Sequence, residues 1–116
     1  MTQQSKINTL YGKTLRWTFT DGPMAGATYD HTFHKNGTVD FRSVEESKPG
    51  KPTHEKNAAA VKVADDIFVV SYLGASGYTL TVVLNLQDMN MIGFASNDKD
   101  WSQQKGRFEI VDEANA

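Results

Sequence analysis

Residues 14–42 read TLRWTFT-DGPMAG-ATYDHTFH-KNG-TVDFR, and their alternation decides the fold. Leu15, Trp17 and Phe19 recur at every second position, as do Tyr29, His31 and Phe33, and then Val39 and Phe41. Side chains of a strand point to opposite faces with a period of two. Three predicted strands therefore share a face that is aromatic or aliphatic except for one imidazole. Thr14, Arg16, Thr18, Thr28, Asp30, Thr32, Asp40 and Arg42 take the other face. Gly22, Pro23 and Gly26 punctuate the first turn. Lys35-Asn36-Gly37 makes the second, because Asn and Gly tolerate the positive φ of a tight hairpin. The aromatic face is the expected inner wall of a barrel and the expected ligand surface.

Outward from this stretch the pattern continues. The first three strands are expected at about 13–20, 27–34 and 38–46. The segment 47–56, SKPGKPTHEK, carries two prolines, a glycine and alternating charge and reads as a loop at the barrel mouth. NAAAVKVA, 57–64, reads as a weak fourth strand, with a helical turn at Ala58–Ala60 as the competing assignment. IFVVSYL (67–73), YTLTVVLNLQ (78–87) and MIGFASN (91–97) read as the next three. In the second of these, Val83 breaks the alternation, and in the third Gly93 marks a bulge or close packing. Asp98–Gln104, with Trp101, reads as a polar loop, and KGRFEIVD (105–112) as the eighth strand, with Phe108 and Ile110 facing in. Before residue 13, Ile7, Leu10 and Tyr11 stand at helix-like spacing. Either a short helical turn ending at Gly12 caps one barrel end, or the segment is a frayed tail. Eight evenly spaced strands with short turns predict an all-β, antiparallel up-and-down barrel over a single domain, residues 1–116. Eight strands leave an interior that side chains fill or that holds one small ligand.

Composition narrows the partners. The net charge is −2, with 12 basic and 14 acidic residues interspersed. No basic stripe is present to meet a nucleic-acid backbone. The apolar runs are too short to span a bilayer. The N-terminus lacks a signal-peptide core, so a cytoplasmic location is the default. The absence of cysteine removes disulfides, thiolate metal sites and a thiol nucleophile. His34 faces away from His31, since an odd separation switches faces, and His54 falls in the expected loop. No metal site is therefore expected. No phosphate loop, nucleophile elbow or Ser–His–Asp spacing implies a cofactor or a hydrolase.

The expected ligand-binding set is Trp17, Phe19, Tyr29, His31, Phe33, Phe41, Tyr72 and Tyr78, with Trp17 doubling as a floor plug. His31 is the one catalytic candidate, because a half-buried imidazole can serve as acid, base or hydrogen-bond donor. Ser43 and Glu45 continue the inner register of the third strand, with Glu45 either a rim carboxylate or simply exposed. Asp30 and Asp40 read as surface charge able to pair with Arg16 and Arg42.

The opening Gly12…Trp17 resembles the Gly-x-Trp start of calycin barrels. The run LRWTFTDGPMAGATYDHTFHKNGTVDFR, with VSYLGASGYTLTVVLNL and MIGFASND, resembles the MoaF-like group of small lipocalin-like domains over about residues 12–111. The resemblance implies a calycin barrel. A more distant similarity runs to the phenolic acid decarboxylases. Trp17 and Phe19 stand where that family places a tyrosine pair, and Tyr29 matches a further pocket tyrosine. Gly74 takes the position of its acid, and no Arg occurs in 47–56 to supply its guanidinium. That departure argues against the same reaction. Three functions follow as expectations. One is a barrel that binds a small apolar or aromatic molecule. Another is a small enzyme using His31 with Tyr29 or Tyr72. The third is an interaction subunit whose outer sheet face, rich in Thr, Arg and Asp, makes a homodimer while the barrel is filled.

Overall fold

A computed structural model of the chain describes residues 7–44, 53–74 and 76–113. Nine strands form one antiparallel sheet: β1 (Lys13–Phe19), β2 (Thr28–Phe33), β3 (Val39–Ser43), β4 (Thr53–Glu55), β5 (Ala58–Ala64), β6 (Ile67–Leu73), β7 (Thr79–Asn85), β8 (Asn90–Ser96) and β9 (Trp101–Glu113). Their order is β4-β3-β2-β1-β9-β8-β7-β6-β5. The eight expected strands are all present within a few residues of their expected ends, and Ala58–Ala60 is strand rather than helix.

Three expectations are corrected. The described residues form nine strands, because Thr53–Glu55, placed in the 47–56 loop, pairs with β3 through Val39↔Glu55, Asp40↔His54 and Phe41↔Thr53. Residues 101–104, placed in the loop before the last strand, are the start of β9 and pair with β8, from Ser96↔Trp101 to Gly93↔Gln104. Among the described residues there is no helix, so the turn expected before Gly12 is not helical. It is a tight backbone turn, with Lys13 N–H donating to the Leu10 carbonyl and Gly12 at φ +92°. Leu10 is nonetheless fully buried and joins the core, so the segment still plugs the barrel. Glu45 and residues 47–52 lie outside the described residues.

The sheet curls until it is nearly closed. β2 and β6 are five places apart in the strand order, which in a flat sheet is roughly 24 Å at the usual strand spacing. Yet His31 on β2 and Tyr72 on β6 share a 3.0 Å hydrogen bond. β4 and β5 end the order, and Lys56-Asn57 joins them, so the chain itself crosses the seam.

The odd–even alternation holds through β1–β3, and the core is the inner wall. Trp17, Phe33, Phe68, Leu10, Leu15 and Leu84 are among its largest buried side chains. Each contributes about 1.5–3 kcal/mol on burial. Gly93 is a site of close packing and not a bulge: β7 and β8 stay in register, and a Cβ there would stand 3.1 Å from Val82 Cγ2. Val83 belongs to an outer aliphatic row, Val61↔Val69↔Val83↔Ile92, running across β5–β8.

One glycine is obligatory for closure. A Cβ on Gly106 would stand 2.4 Å from the Thr18 carbonyl oxygen and 2.6 Å from Met91 Cε. The methionine can swing away, but the backbone of β1 cannot. Gly106→Ala should therefore cost about 1–3 kcal/mol. It should appear as a lower urea midpoint at unchanged slope.

Candidate functional site

Residues of β1–β4 and β6–β9 converge on a cavity of about 400 Å³. Phe19, Met24, Tyr29, Phe41 and Leu80 supply apolar wall, and His31, Glu55, Tyr72 and Gln104 supply polar groups. The aromatic rings are packed against one another: Tyr29 meets Phe19 and Phe41 edge-on at 6.4 and 6.3 Å, and Phe41 stacks on Tyr72 at 5.6 Å.

Of the eight residues expected to bind ligand, Phe19, Tyr29, His31, Phe41, Tyr72 and Tyr78 line this cavity. Trp17 and Phe33 are buried behind it. The Trp17 indole stacks on the His31 ring at 3.6 Å and so fixes the plane of the imidazole. Tyr78 lines the rim, but its hydroxyl turns outward and donates to Asp100 Oδ2 at 3.0 Å. It is not a polar anchor of the interior.

His31 is 2% exposed. Its Nε2 bonds the Tyr72 hydroxyl at 3.0 Å, while its Nδ1 has no hydrogen-bond partner among the described residues. Burial alone drags its pKa down from 6.5 to about 3, so the ring is neutral at physiological pH. Burial, with smaller contributions from Glu55 and Tyr29, pushes the Tyr72 phenol well above its ordinary value. Both groups are thus held in their neutral forms. That state suits a hydrogen-bonding anchor, and it is far from the matched, near-neutral pair that proton transfer favours.

Glu55 is the candidate site residue that the sequence reading missed. It lies in the stretch assigned to the mouth loop, yet it is only 5% exposed and lines the cavity. Its Oε2 comes within 3.8 Å of where a Cβ on Gly74 would stand. A carboxylate from β4 thus stands beside the end of β6. No arginine is among the cavity-lining residues.

On the outer face, Arg16 pairs with Asp30 through Nε–Oδ1 at 2.9 Å and Nη2–Oδ2 at 3.2 Å. The expected pairing of Asp40 with an arginine is corrected: its partners are His34 and His54, which lie at 3.1 and 2.5 Å. His54 is on β4 and not in a loop, which removes one of the grounds on which a metal site was discounted; the absence of cysteine and of a His-x-His pair stands.

A comparison with curated proteins returns no match to this chain. Among solved structures, one described as a "putative beta-lactamase from Burkholderia vietnamiensis" aligns with a TM-score of 0.71 at 15% sequence identity. The alignment covers 95% of this chain and 100% of that one. At that identity the likeness speaks for the shared barrel and not for a shared reaction. The family model of the MoaF N-terminal domain matches residues 3–100. That span takes in β1–β8 and every cavity-lining residue except Gln104, and the chain therefore belongs to the MoaF N-terminal domain family.

Proposed function

We propose that this chain is a calycin-type binding barrel. Its occupant is a compact apolar or aromatic molecule that carries one hydrogen-bonding group. The observation that supports this is the composition of the cavity: aromatic walls around a polar corner where His31, Tyr72 and Glu55 meet. Its volume, about 400 Å³, falls in the ordinary range for small-molecule sites, roughly 300–1,000 Å³. The ligand's ring lies against Phe19, Tyr29 and Phe41, and its donor group points toward Glu55 and the Tyr72 hydroxyl. An acid–base role for His31 is the weaker reading, because burial holds both members of the His31–Tyr72 pair away from neutral titration.

The test is a titration with 1-anilinonaphthalene-8-sulfonate, paired with a native mass spectrum of protein taken directly from the expression host. Saturable fluorescence at one equivalent is expected, weakened about tenfold in Leu80→Trp, whose indole would occupy the cavity. Circular dichroism confirms that the variant is folded. Equal binding by both proteins, or no saturable binding by the wild type, would sink the proposal.

A second reading, self-association, is favoured by the aliphatic row on β5–β8. Val61, the member of the row on β5, is 52% exposed, and Val63 two residues along the same strand is 57% exposed. This moves the expected dimer surface away from the Thr-, Arg- and Asp-rich face of β1–β3. The same native spectrum decides it by showing dimer or only monomer at micromolar protein.

A further inference from the structure

We propose that His34, Asp40 and His54 form a binding site for a divalent transition-metal cation of the zinc class, on the outer face of β2–β4 and separate from the barrel cavity. The three residues come from three successive strands or their ends. His34 follows the last residue of β2, Asp40 is the second residue of β3, and His54 is the central residue of β4. Register brings them together. Asp40 and His54 are direct cross-strand partners, and His34 stands one outward position beyond Thr32, the β2 partner of Asp40. One imidazole nitrogen from each histidine and one carboxylate oxygen lie within 4.8 Å of one another. The nitrogens already point at the carboxylate: His34 Nε2 at Oδ2 and His54 Nδ1 at Oδ1.

Ligands around a tetrahedral zinc stand about 3.4 Å apart for bonds of 2.0–2.1 Å. Small side-chain rotations of three partly exposed residues close that gap without moving the sheet. An aspartate carboxylate is ionised at neutral pH and can ligate as it stands. Two imidazoles and one carboxylate are borderline donors, which favour zinc, nickel or cobalt over calcium and magnesium. Three protein ligands leave coordination positions open. A groove lined by Thr14, Asp30, Thr32 and Arg42 adjoins His34 and Asp40, and from it water or a small anion could complete the shell.

As a purely structural staple the cluster would achieve little, because ion pairs this exposed contribute under about 1 kcal/mol. The convergence of three metal-ligating side chains on one point is better explained by an ion between them.

The chain contains 3 histidines, and this makes the experiment self-controlled. ZnCl₂ is titrated into the chelator-treated full-length protein, and the histidine ring resonances are followed by NMR. His34 and His54 should shift together and saturate at one equivalent, while His31, sealed in the barrel, should not move. Asp40→Asn and His54→Gln should each weaken binding by about tenfold or more. The proposal is overturned if no ring signal saturates below millimolar zinc. Independent titration of His34 and His54 with different affinities, or unchanged binding in Asp40→Asn, would also overturn it. Thermal melts of each variant without zinc show that the barrel is intact.

Discussion

Lowering the pH from 7 to 4 should destabilise the barrel by several kcal/mol, and His31 should account for the largest single share. The direction follows from where the proton binds. In the unfolded chain the imidazole takes a proton below about 6.5, whereas in the folded protein burial delays this to about 3. Between those values the unfolded state holds more protons, so stability rises with pH. The stabilisation is complete above 6.5 and is lost as pH falls toward 3. At about 1.4 kcal/mol per pH unit, the limit is roughly 5 kcal/mol. A local opening that hydrates the ring at lower cost would truncate it. Asp40 acts in a different window: its lowered pKa gives stability that is lost only as pH falls below the ordinary carboxylate range. Above pH 4 the two do not overlap.

The diagnostic variant is His31→Gln, which can still bond Tyr72 and does not titrate. At pH 7 it should be less stable by about 1–2 kcal/mol, having lost the stack on Trp17. Its stability should then stay flat while that of the wild type falls, and the two curves should cross near about pH 5. Urea midpoints at pH 7, 6, 5 and 4 measure this. Parallel curves would show that the ring protonates in the folded state without difficulty, and hence that it is not sealed.

What the sequence could show was parity. Alternation placed Trp17, His31, Phe41 and Tyr72 on inner faces, and the structure agrees, because one register slip would turn a whole strand inside out. Parity says nothing about which strands oppose one another once the sheet closes. The His31–Tyr72 bond spans five strand positions, and no local signal anticipates it. β4 was illegible for a different reason. Thr-His-Glu is too short to display a period, and the prolines and lysines before it read as loop. That one omission hid both Glu55 in the cavity and His54 beside Asp40. The first turn of β9 was obscured because Ser102, Gln103 and Gln104 are polar on both faces, although Gln104 is buried. Val83 looked like an error in the alternation and is instead one member of a cross-strand row that only pairing reveals.

Trp17→Ala should be the most damaging single substitution in the barrel floor, whereas Trp17→Phe should be nearly silent. The indole is fully buried, backs the His31 ring at 3.6 Å and sits in the centre of the core cluster. Truncation to alanine leaves a void beside the barrel cavity, and the cost for such changes is about 3–5 kcal/mol. That is a large part of the roughly 5–15 kcal/mol that holds a typical domain folded. Phenylalanine loses only about three ring atoms, or roughly 2 kcal/mol of burial at about 0.8 kcal/mol per carbon. Against this stands the indole N–H, which has no hydrogen-bond partner among the described residues. Removing a buried donor in that state recovers about 1–3 kcal/mol. The two effects nearly cancel, so Trp17→Phe should lie within about 1 kcal/mol of the wild type and still stack on His31. Thermal and urea unfolding followed by circular dichroism should rank wild type and Trp17→Phe together, well above Trp17→Ala. A loss of about 2 kcal/mol or more in Trp17→Phe would mean that the N–H is hydrogen-bonded in solution. The floor of the barrel would then be a wet, polar site and not a dry wall behind His31.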